Sequence, residues 1–187
     1  EFKLEFQNKK FSNSIIKNIH ILLEEENISH KIINDLFDGI ESDLKDKVSL
    51  NTKKDLLIYS YQVAGTVGLM MAKILKVKDK QSLRCAIDLG VAMQLTNIAR
   101  DVVEDKKRNR SYIKTDFNSI SETIFLADTF YQSSFMAIKD IPIFSRFAIL
   151  VARRMYKKIG HKILAQRNMK AYNDAGKVHV SVLGKIV

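Results

Sequence analysis

The sequence predicts an all-α protein that folds as a single domain. Proline occurs once and glycine seven times in 187 residues, so little in the chain interrupts long helices. Few segments alternate apolar and polar residues with a period of two, and we therefore expect no β-sheet. Hydrophobic residues make up 46% of the chain, and at this length they are enough to bury a substantial core.

The first predicted helices follow from apolar stripes and from residues that favour helix starts. A stripe of isoleucine and leucine predicts a helix over residues 12–26. Ser29 is expected to cap the next helix, which runs to about Lys45. This second helix carries Asp35 and Asp38, for which we consider two interpretations. They are a second metal-binding pair or, as we favour, a solvated acidic face.

Two long helices are predicted in the middle of the chain. Thr52 and Asp55 form a capping pair for a helix over residues 53–75. After a short turn, Asp79 is expected to cap a second long helix that extends to about Lys107.

A polar loop over residues 108–118 separates these helices from the next ones. Ser119 and Glu122 are expected to form a capping box for a helix that ends near residue 139. Pro142 suits the first turn of the helix after it, because the first turn tolerates a missing N–H.

The last two helical segments are predicted over residues 143–168 and from Tyr172 to the end. The final segment would carry Lys177 and Lys185, two cations that are available to an anion. On the longer segment, the residues expected to face inward are Phe147, Leu150, Val151, Met155 and Ile159.

The most informative feature is a row of small and polar residues on the second long helix. Gly90, Gln94, Asn97, Asp101 and Asp105 follow one another at steps of four, three, four and four, which places them on one narrow face. An apolar stripe lies beside that face, so the row should border the core. Carboxylates at i and i+4, with an asparagine one turn earlier, suit Mg²⁺ that takes its other oxygens from a phosphate. The alternative is a salt-bridged helix end with solvated charges, and spacing alone does not decide between the two.

Two stretches resemble the signatures of the squalene and phytoene synthases. QLTNIARDVVED, which begins at Gln94, is similar to the family's second aspartate-rich motif, and the RxY of Arg110 and Tyr112 follows it. YSYQVAGTVGLMM, over residues 59–71, is similar to the other signature. The likeness is strongest to bacterial phytoene synthases, runs from about Asp35 to the end, and concerns the C-terminal two thirds of the family's domain.

The resemblance implies an isoprenoid-synthase helical bundle, of which this chain holds a part. The family has a first aspartate-rich motif well upstream of a DGxxxD phrase, which Asp38, Gly39 and Asp43 match. This chain has DxxxD once, at Asp101 and Asp105, and does not begin with methionine. We therefore expect a single, incomplete domain without its N-terminal helices, and a chain that is inactive by itself.

The resemblance also implies a reaction, the head-to-head condensation of two geranylgeranyl diphosphates to phytoene in carotenoid biosynthesis. Two alternatives stay open: a squalene or dehydrosqualene synthase that uses farnesyl diphosphate, and a non-catalytic helical assembly factor. Mg²⁺ is the expected cofactor, Mn²⁺ is an alternative ion, and NADPH is not expected. The glycines of the 59–71 motif have two compatible explanations, which are close helix packing and space for a long prenyl chain.

The same resemblance assigns roles to named side chains. Asp101 and Asp105 are expected to be catalytic and, together with Asn97, to bind the metal, and Tyr59 is expected to face the reaction centre. The residues expected to bind substrate are Gln94, Arg100, Arg110, Tyr112 and Tyr172.

Charge and cysteine content bound the partners and the compartment. The net charge is +10, but the basic residues are spread along the chain and no nucleic-acid-binding motif occurs, so we expect no nucleic acid partner. Because the implied prenyl diphosphate substrates are lipid-like, we expect loose attraction to an anionic membrane. The lone Cys85 and the lack of an 18-residue apolar run favour a cytoplasmic protein, at most peripheral to the membrane.

Overall fold

Helices form almost all the regular structure of residues 2–11, 13–136 and 138–180, which are the residues that the computed structural model describes. The all-α prediction is confirmed for this part of the chain. The helices are α1 (Phe2–Gln7), α2 (Ser14–Glu25), α3 (His30–Asp43), α4 (Lys53–Ser60), α5 (Thr66–Ile74), α6 (Lys80–Lys107), α7 (Phe117–Phe135), α8 (Ile143–Leu164) and α9 (Met169–Ala175). A π-helical turn at Tyr61–Gly65 joins α4 to α5, and a 3₁₀ turn at Ile138–Asp140 precedes α8.

Three of the predicted caps are present. Ser29, Thr52 and Asp79 precede α3, α4 and α6, and each side-chain oxygen accepts a hydrogen bond from a backbone N–H in the first turn. Asp55 completes the capping box with Thr52 by accepting from the backbone N–H of that residue. These local hydrogen bonds fix where the helices begin, because each satisfies a backbone donor that has no partner within the helix.

The predicted cap of α7 is wrong. The helix begins at Phe117, and its cap is Asp116 rather than Ser119. The Asp116 carboxylate accepts hydrogen bonds from the backbone N–H and the hydroxyl of Ser119. Ser119 therefore occupies the third position of the helix, because an aspartate is as favourable a cap as a serine and this one comes earlier in the chain.

α6 is the central helix of the bundle and packs against α5, α7 and α8. Its buried face includes Leu95 and Ile98, which join the main apolar core. On the same helix, the Thr96 hydroxyl lies 3.0 Å from the hydroxyl of Tyr131 on α7. Because apolar contacts and a buried hydrogen bond both hold this helix, the polar row that lies beside these buried residues has a fixed position.

Two glycines let α5 and α6 approach each other closely. A Cβ atom at Gly68 would collide with the carbonyl oxygen of Ala86, and one at Gly90 would collide with that of Ala64. Both obstacles are backbone atoms, which cannot move aside as a side chain can. Close helix packing, one of the two compatible explanations predicted for the glycines of the 59–71 motif, therefore applies to Gly68, which also lines the apolar cavity between these helices.

A short pair of parallel strands departs from the expectation of no sheet. β1 (Val48–Ser49) pairs with β2 (Arg110–Ser111), with Val48 opposite Arg110. Strands of two residues are too short to show an alternating pattern, so the sequence contains no signal for them. The pair joins the end of α3 to the loop after α6.

The C-terminal helices differ from the prediction in two respects. The inward orientation predicted for Phe147 is wrong, because its side chain is 74% exposed. At 3.6 residues per turn, Phe147 lies roughly 120° around the helix from the buried Ile159, so one stripe cannot bury both. The final helical piece is shorter than predicted, since α9 ends at Ala175 and Gly176 follows with a φ of 61°. Lys185 lies outside the described residues.

Candidate active site

The polar row predicted on α6 lies on one continuous helix. Gln94, Asn97, Asp101 and Asp105 are all half-buried, while the neighbouring apolar stripe is buried. The row therefore borders the core and remains partly open to ligands. This is the placement that the spacing predicts, and the chemical roles of these residues stay predictions.

An apolar cavity of about 370 Å³ ends where the carboxylates begin. Small residues form much of its wall between α5 and α6, and Tyr156 contributes from α8. On α6 the lining runs from Ser82 to Asn97, which corresponds to a length of roughly 22 Å at 1.5 Å per residue. Gln94 and Asn97 are the last α6 residues in the lining, so the cavity leads from an apolar interior to the polar row.

Among the described residues, three oxygen-bearing side chains of the row have no hydrogen-bond partner, namely Gln94, Asn97 and Asp105. The Oδ1 atom of Asn97 is buried and unpaired. The Asp105 carboxylate makes no hydrogen bond and no ion pair within the described ranges. A buried oxygen without a partner, such as Oδ1 of Asn97, is costly, and a hard cation would satisfy it together with the half-buried Asp105 carboxylate. No group of three histidine, cysteine or acidic residues that could hold a metal occurs in this part of the chain.

Asp101 is held by two cations. Arg100 donates to both carboxylate oxygens, at 2.9 and 2.7 Å, and the Nζ of Lys177 lies 3.2 Å from Oδ1. Burial acts to raise the pKa of the Asp101 carboxyl, but the two cations outweigh it and hold the pKa below its ordinary value. The carboxylate is therefore ionised and compensated, and both cations lie where a diphosphate could also reach them.

Asp105 has the opposite electrostatic environment. Burial, followed by the negative charge of Asp101, raises the pKa of its carboxyl to about 6, while Arg108 and Arg110 partly offset this. The ionised form of Asp105 is under-compensated by the protein. A divalent cation would relieve that imbalance, so the row fits a hard metal ion.

Tyr59, Arg110 and Tyr112 meet at Asp43, a residue to which the sequence analysis assigns no role. The carboxylate of Asp43 accepts from the hydroxyls of Tyr59 and Tyr112, at 2.8 and 2.7 Å. Burial raises the pKa of both phenols, and the Asp43 charge adds to this. Tyr59 is 5% exposed and does not line the apolar cavity. The match of Asp43 to the DGxxxD phrase is the one signal for it in the sequence.

Tyr172 contacts the backbone of α6. Its hydroxyl lies 2.6 Å from the carbonyl oxygen of Arg100 and 2.9 Å from that of Ala99. Burial raises the pKa of the phenol to about 12. In this arrangement Tyr172 braces α6 beside Asp101, and its expected contact with substrate remains a prediction.

The acidic pair on α3 is engaged in ion pairs. Asp35 binds Lys31 and accepts from the hydroxyl of Tyr61, whereas Asp38 binds Lys3. The exposed Asp38 fits the favoured interpretation of a solvated acidic face, whereas the Asp35 side chain is 14% exposed and lies against Tyr61. None of the helices in the described ranges is long and apolar enough to cross a membrane.

A helical bundle with a carboxylate row at the end of an apolar cavity has the architecture of isoprenoid synthases. A squalene synthase from Alicyclobacillus acidocaldarius has a similar structure, with a TM-score of 0.73 over 89% of this chain and 70% of its own, at 14% identity. A dehydrosqualene synthase solved in complex with a ligand gives 0.71 over 98% of this chain and 71% of its own, at 24% identity. These likenesses establish the isoprenoid-synthase fold.

Sequence comparison gives the family. The squalene/phytoene synthase model matches residues 3–120, and the chain belongs to that family. The match begins closer to the N-terminus than the predicted likeness from Asp35. The 15-cis-phytoene synthase of Enterobacter agglomerans is 37% identical over 134 aligned residues, and this alignment covers 60% of this chain and 45% of that protein. The phytoene synthase of Pseudescherichia vulneris is 34% identical over 159 aligned residues, and this alignment covers 74% of this chain and 51% of that protein. The chain thus spans about half the length of these relatives.

Proposed function

We propose that this chain belongs to an enzyme that condenses two geranylgeranyl diphosphates head to head to form phytoene. The observation that carries the proposal is the polar row at the end of the long apolar cavity. A prenyl diphosphate has the same two parts, a charged head and a long apolar tail. The relatives named phytoene synthases support the choice of product.

Asn97, Asp101 and Asp105 would hold Mg²⁺, with Mn²⁺ as the alternative ion. When bound, the cation neutralises the negative charge that develops on the departing diphosphate oxygens. We assign the remaining oxygens to Arg100 and Arg110, and the same task to Gln94, Tyr112 and Tyr172.

The reaction we propose is ionisation within a dry cavity. The carbon–oxygen bond of the allylic diphosphate breaks, the diphosphate leaves with the electron pair, and an allylic cation remains. The apolar walls exclude water, which would otherwise add to the cation and give an alcohol. By family resemblance, the double bond of the second prenyl diphosphate attacks this cation, and loss of a proton closes a cyclopropyl diphosphate. Its diphosphate then leaves with the electron pair, and after rearrangement the loss of a second proton completes phytoene without NADPH.

A product assay tests this function. Incubation of the complete enzyme with geranylgeranyl diphosphate and Mg²⁺, without NADPH, should give a C40 hydrocarbon and diphosphate. A product formed only from farnesyl diphosphate with NADPH would favour a squalene synthase instead. A protein that yields no hydrocarbon from any prenyl diphosphate would favour the non-catalytic assembly factor.

We also propose that residues 1–187 need a second polypeptide segment for activity. The chain contains one DxxxD, at Asp101 and Asp105. Two diphosphates bring several negative charges into one cavity. The metal ions that bind these diphosphates would take further ligands from carboxylates on a facing helix. In the product assay, the 187-residue chain should become active only with a segment that carries a second DxxxD. Activity of the chain alone would contradict this requirement.

Contact with an anionic membrane is part of the proposal, and the start of α8 supports it. Phe144 is 95% exposed there, and Ile143 and Phe147 are exposed beside it. Further along the helix, Arg154 is exposed and Lys157 is half-buried. Apolar side chains with cations behind them match a lipid surface whose headgroups are negative. A cytoplasmic protein that touches the membrane at this surface fits a lipid-like substrate.

A further inference from the structure

We propose that Asp43 is a positioning residue for diphosphate binding, and that it fixes Arg110 and Tyr112 beside the polar row. The inference rests on the proposed function, because it concerns the same site. Asp43 neither lines the apolar cavity nor belongs to the row on α6. Its effect would therefore be exerted through the residues that it holds.

The position of Asp43 is unfavourable for a carboxylate unless other groups compensate it. It is the last residue of α3, where the helix dipole presents its negative end. A negative charge at this end is disfavoured by local helix electrostatics. Residues that break such a local rule are often retained for contacts made elsewhere in the fold.

Asp43 receives hydrogen bonds from two elements distant in sequence. Tyr59 on α4 donates to Oδ2, and Tyr112, just after β2, donates to Oδ1. The two rings stack with their centroids 4.8 Å apart. The Tyr59 hydroxyl also lies 3.2 Å from the Tyr112 hydroxyl, so the two phenols and the Asp43 carboxylate form one hydrogen-bonded cluster in which Asp43 is the charged acceptor.

Arg110 is tied to the same residue. One guanidinium nitrogen, Nη2, donates to the backbone oxygen of Asp43 at 2.9 Å, and Nη1 lies 3.8 Å from the carboxylate. The pairing of β1 with β2 anchors the backbone next to these contacts. Together they fix the segment from Arg110 to Tyr112 against the end of α3.

This segment borders the metal-binding row that we propose. Arg110, Tyr112 and Asp105 line one narrow crevice. The position of the Arg110 charge relative to Asp105 therefore depends on what holds Arg110 from behind. Without the Asp43 charge, Tyr112 loses its carboxylate acceptor and Arg110 loses its ion pair, although the hydrogen bond from Arg110 to the Asp43 backbone oxygen remains. We expect the guanidinium then to sample positions that are less suited to a diphosphate.

Binding of inorganic diphosphate without Mg²⁺, measured by titration calorimetry, tests the inference directly. The complete enzyme should lose about tenfold in affinity with Asp43→Asn, as is typical when a supporting residue behind a ligand-binding group is changed. Asp38→Asn is the matched control, because it removes an aspartate charge from the same helix. Unchanged affinity in Asp43→Asn, or an equal loss in Asp38→Asn, would overturn the proposal.

A double variant separates positioning from general destabilisation. If Asp43 acts through Arg110, Asp43→Asn combined with Arg110→Gln should bind diphosphate no more weakly than Arg110→Gln alone. Losses that multiply both with Arg110→Gln and with Tyr112→Phe would show that Asp43 acts through neither residue and would refute the positioning role. Should Asp43→Asn fail to fold, Asp43→Glu is the second variant, because it keeps the charge but displaces it. A diphosphate affinity of Asp43→Glu equal to that of the wild type would also refute the positioning role.

A spectroscopic readout separates this inference from the proposed function. Loss of the carboxylate acceptor should change the near-ultraviolet absorbance of the tyrosines in Asp43→Asn and leave it unchanged in Asp38→Asn. A wild-type enzyme that forms no hydrocarbon would refute the proposed function alone. An unchanged tyrosine spectrum in a folded Asp43→Asn would refute the contacts on which the inference depends.

Discussion

The Nζ atom of Lys177, beyond the end of α9, lies 3.2 Å from Oδ1 of Asp101 in the middle of the polar row. Arg100 binds the same carboxylate from the neighbouring position on α6. Asp101 is thus ionised, and the two cations around it are placed to contact an incoming anion. In the function that we propose, a metal ion at Asp101 would have to share or displace these two cations, and Arg100 and Lys177 would then be free to bind the diphosphate.

Asp101→Asn should lower the turnover of the complete enzyme by at least about 100-fold, because it removes a charge needed in the transition state. Substrate affinity should change less. Steady-state kinetics with geranylgeranyl diphosphate and Mg²⁺ measure both quantities. Glu104→Gln is the control, since Glu104 also binds Lys177 but is exposed and lies off the row. Near-normal turnover of Asp101→Asn would show that the ligand assignment is wrong.

Asp105→Asn should stabilise the protein in the absence of divalent cations. The pKa of Asp105 is raised from 3.8 to about 6, so the folded state binds more protons than the unfolded state between these values. Stability contributed by this group therefore falls as the pH rises from about 4 to 6. Thermal denaturation should show a higher Tm for the variant at pH 7.5 and a smaller difference near pH 4.

Glu104→Gln is the control in the same thermal denaturation experiment, because removal of this carboxylate charge should not raise the Tm. Lys177 lowers the pKa of Glu104, so its charge favours folding. Added Mg²⁺ should stabilise the wild type more than Asp105→Asn, because ligands that bind the folded state raise its stability. A variant that is less stable than the wild type at pH 7.5 would contradict our account of Asp105.

Gly90→Ala should destabilise the fold by about 2 kcal/mol or more, because the new Cβ meets the carbonyl oxygen of Ala64. Gly160→Ala is the matched substitution in α8. There the new Cβ would lie 3.1 Å from a side-chain atom of Ile124, which can adjust. Alanine's better helix propensity should offset that contact to within about 1 kcal/mol. Denaturant unfolding measures both changes, and equal losses would argue against a backbone clash at Gly90.

Replacement of both Phe144 and Phe147 by aspartate should abolish binding to vesicles that contain anionic lipids. Flotation of the purified protein with phosphatidylglycerol vesicles measures this binding. Ile15→Asp, at another exposed apolar residue, should bind like the wild type. Binding should also weaken at high salt, because headgroup charges are screened. A wild type that fails to float, or that dimerises through α8 instead, would show that the surface serves another partner.

The sequence by itself determined the class of fold, most helix starts and the composition of the polar row. These features depend on interactions within a few residues. The cap at Ser29 and the spacing of Asn97, Asp101 and Asp105 are local, because a regular helix converts spacing directly into a shared face. Family membership also came from contiguous motifs, such as the one that begins at Gln94.

Only the tertiary structure decided which distant residues meet. Asp43 joins Tyr59 and Tyr112, and Lys177 reaches Asp101, through contacts between elements far apart in sequence. No periodicity encodes such contacts, because they depend on how whole helices pack. For Phe147, helix geometry separates it from Ile159 on α8, but only the packing of the bundle decides which of the two sides another element covers.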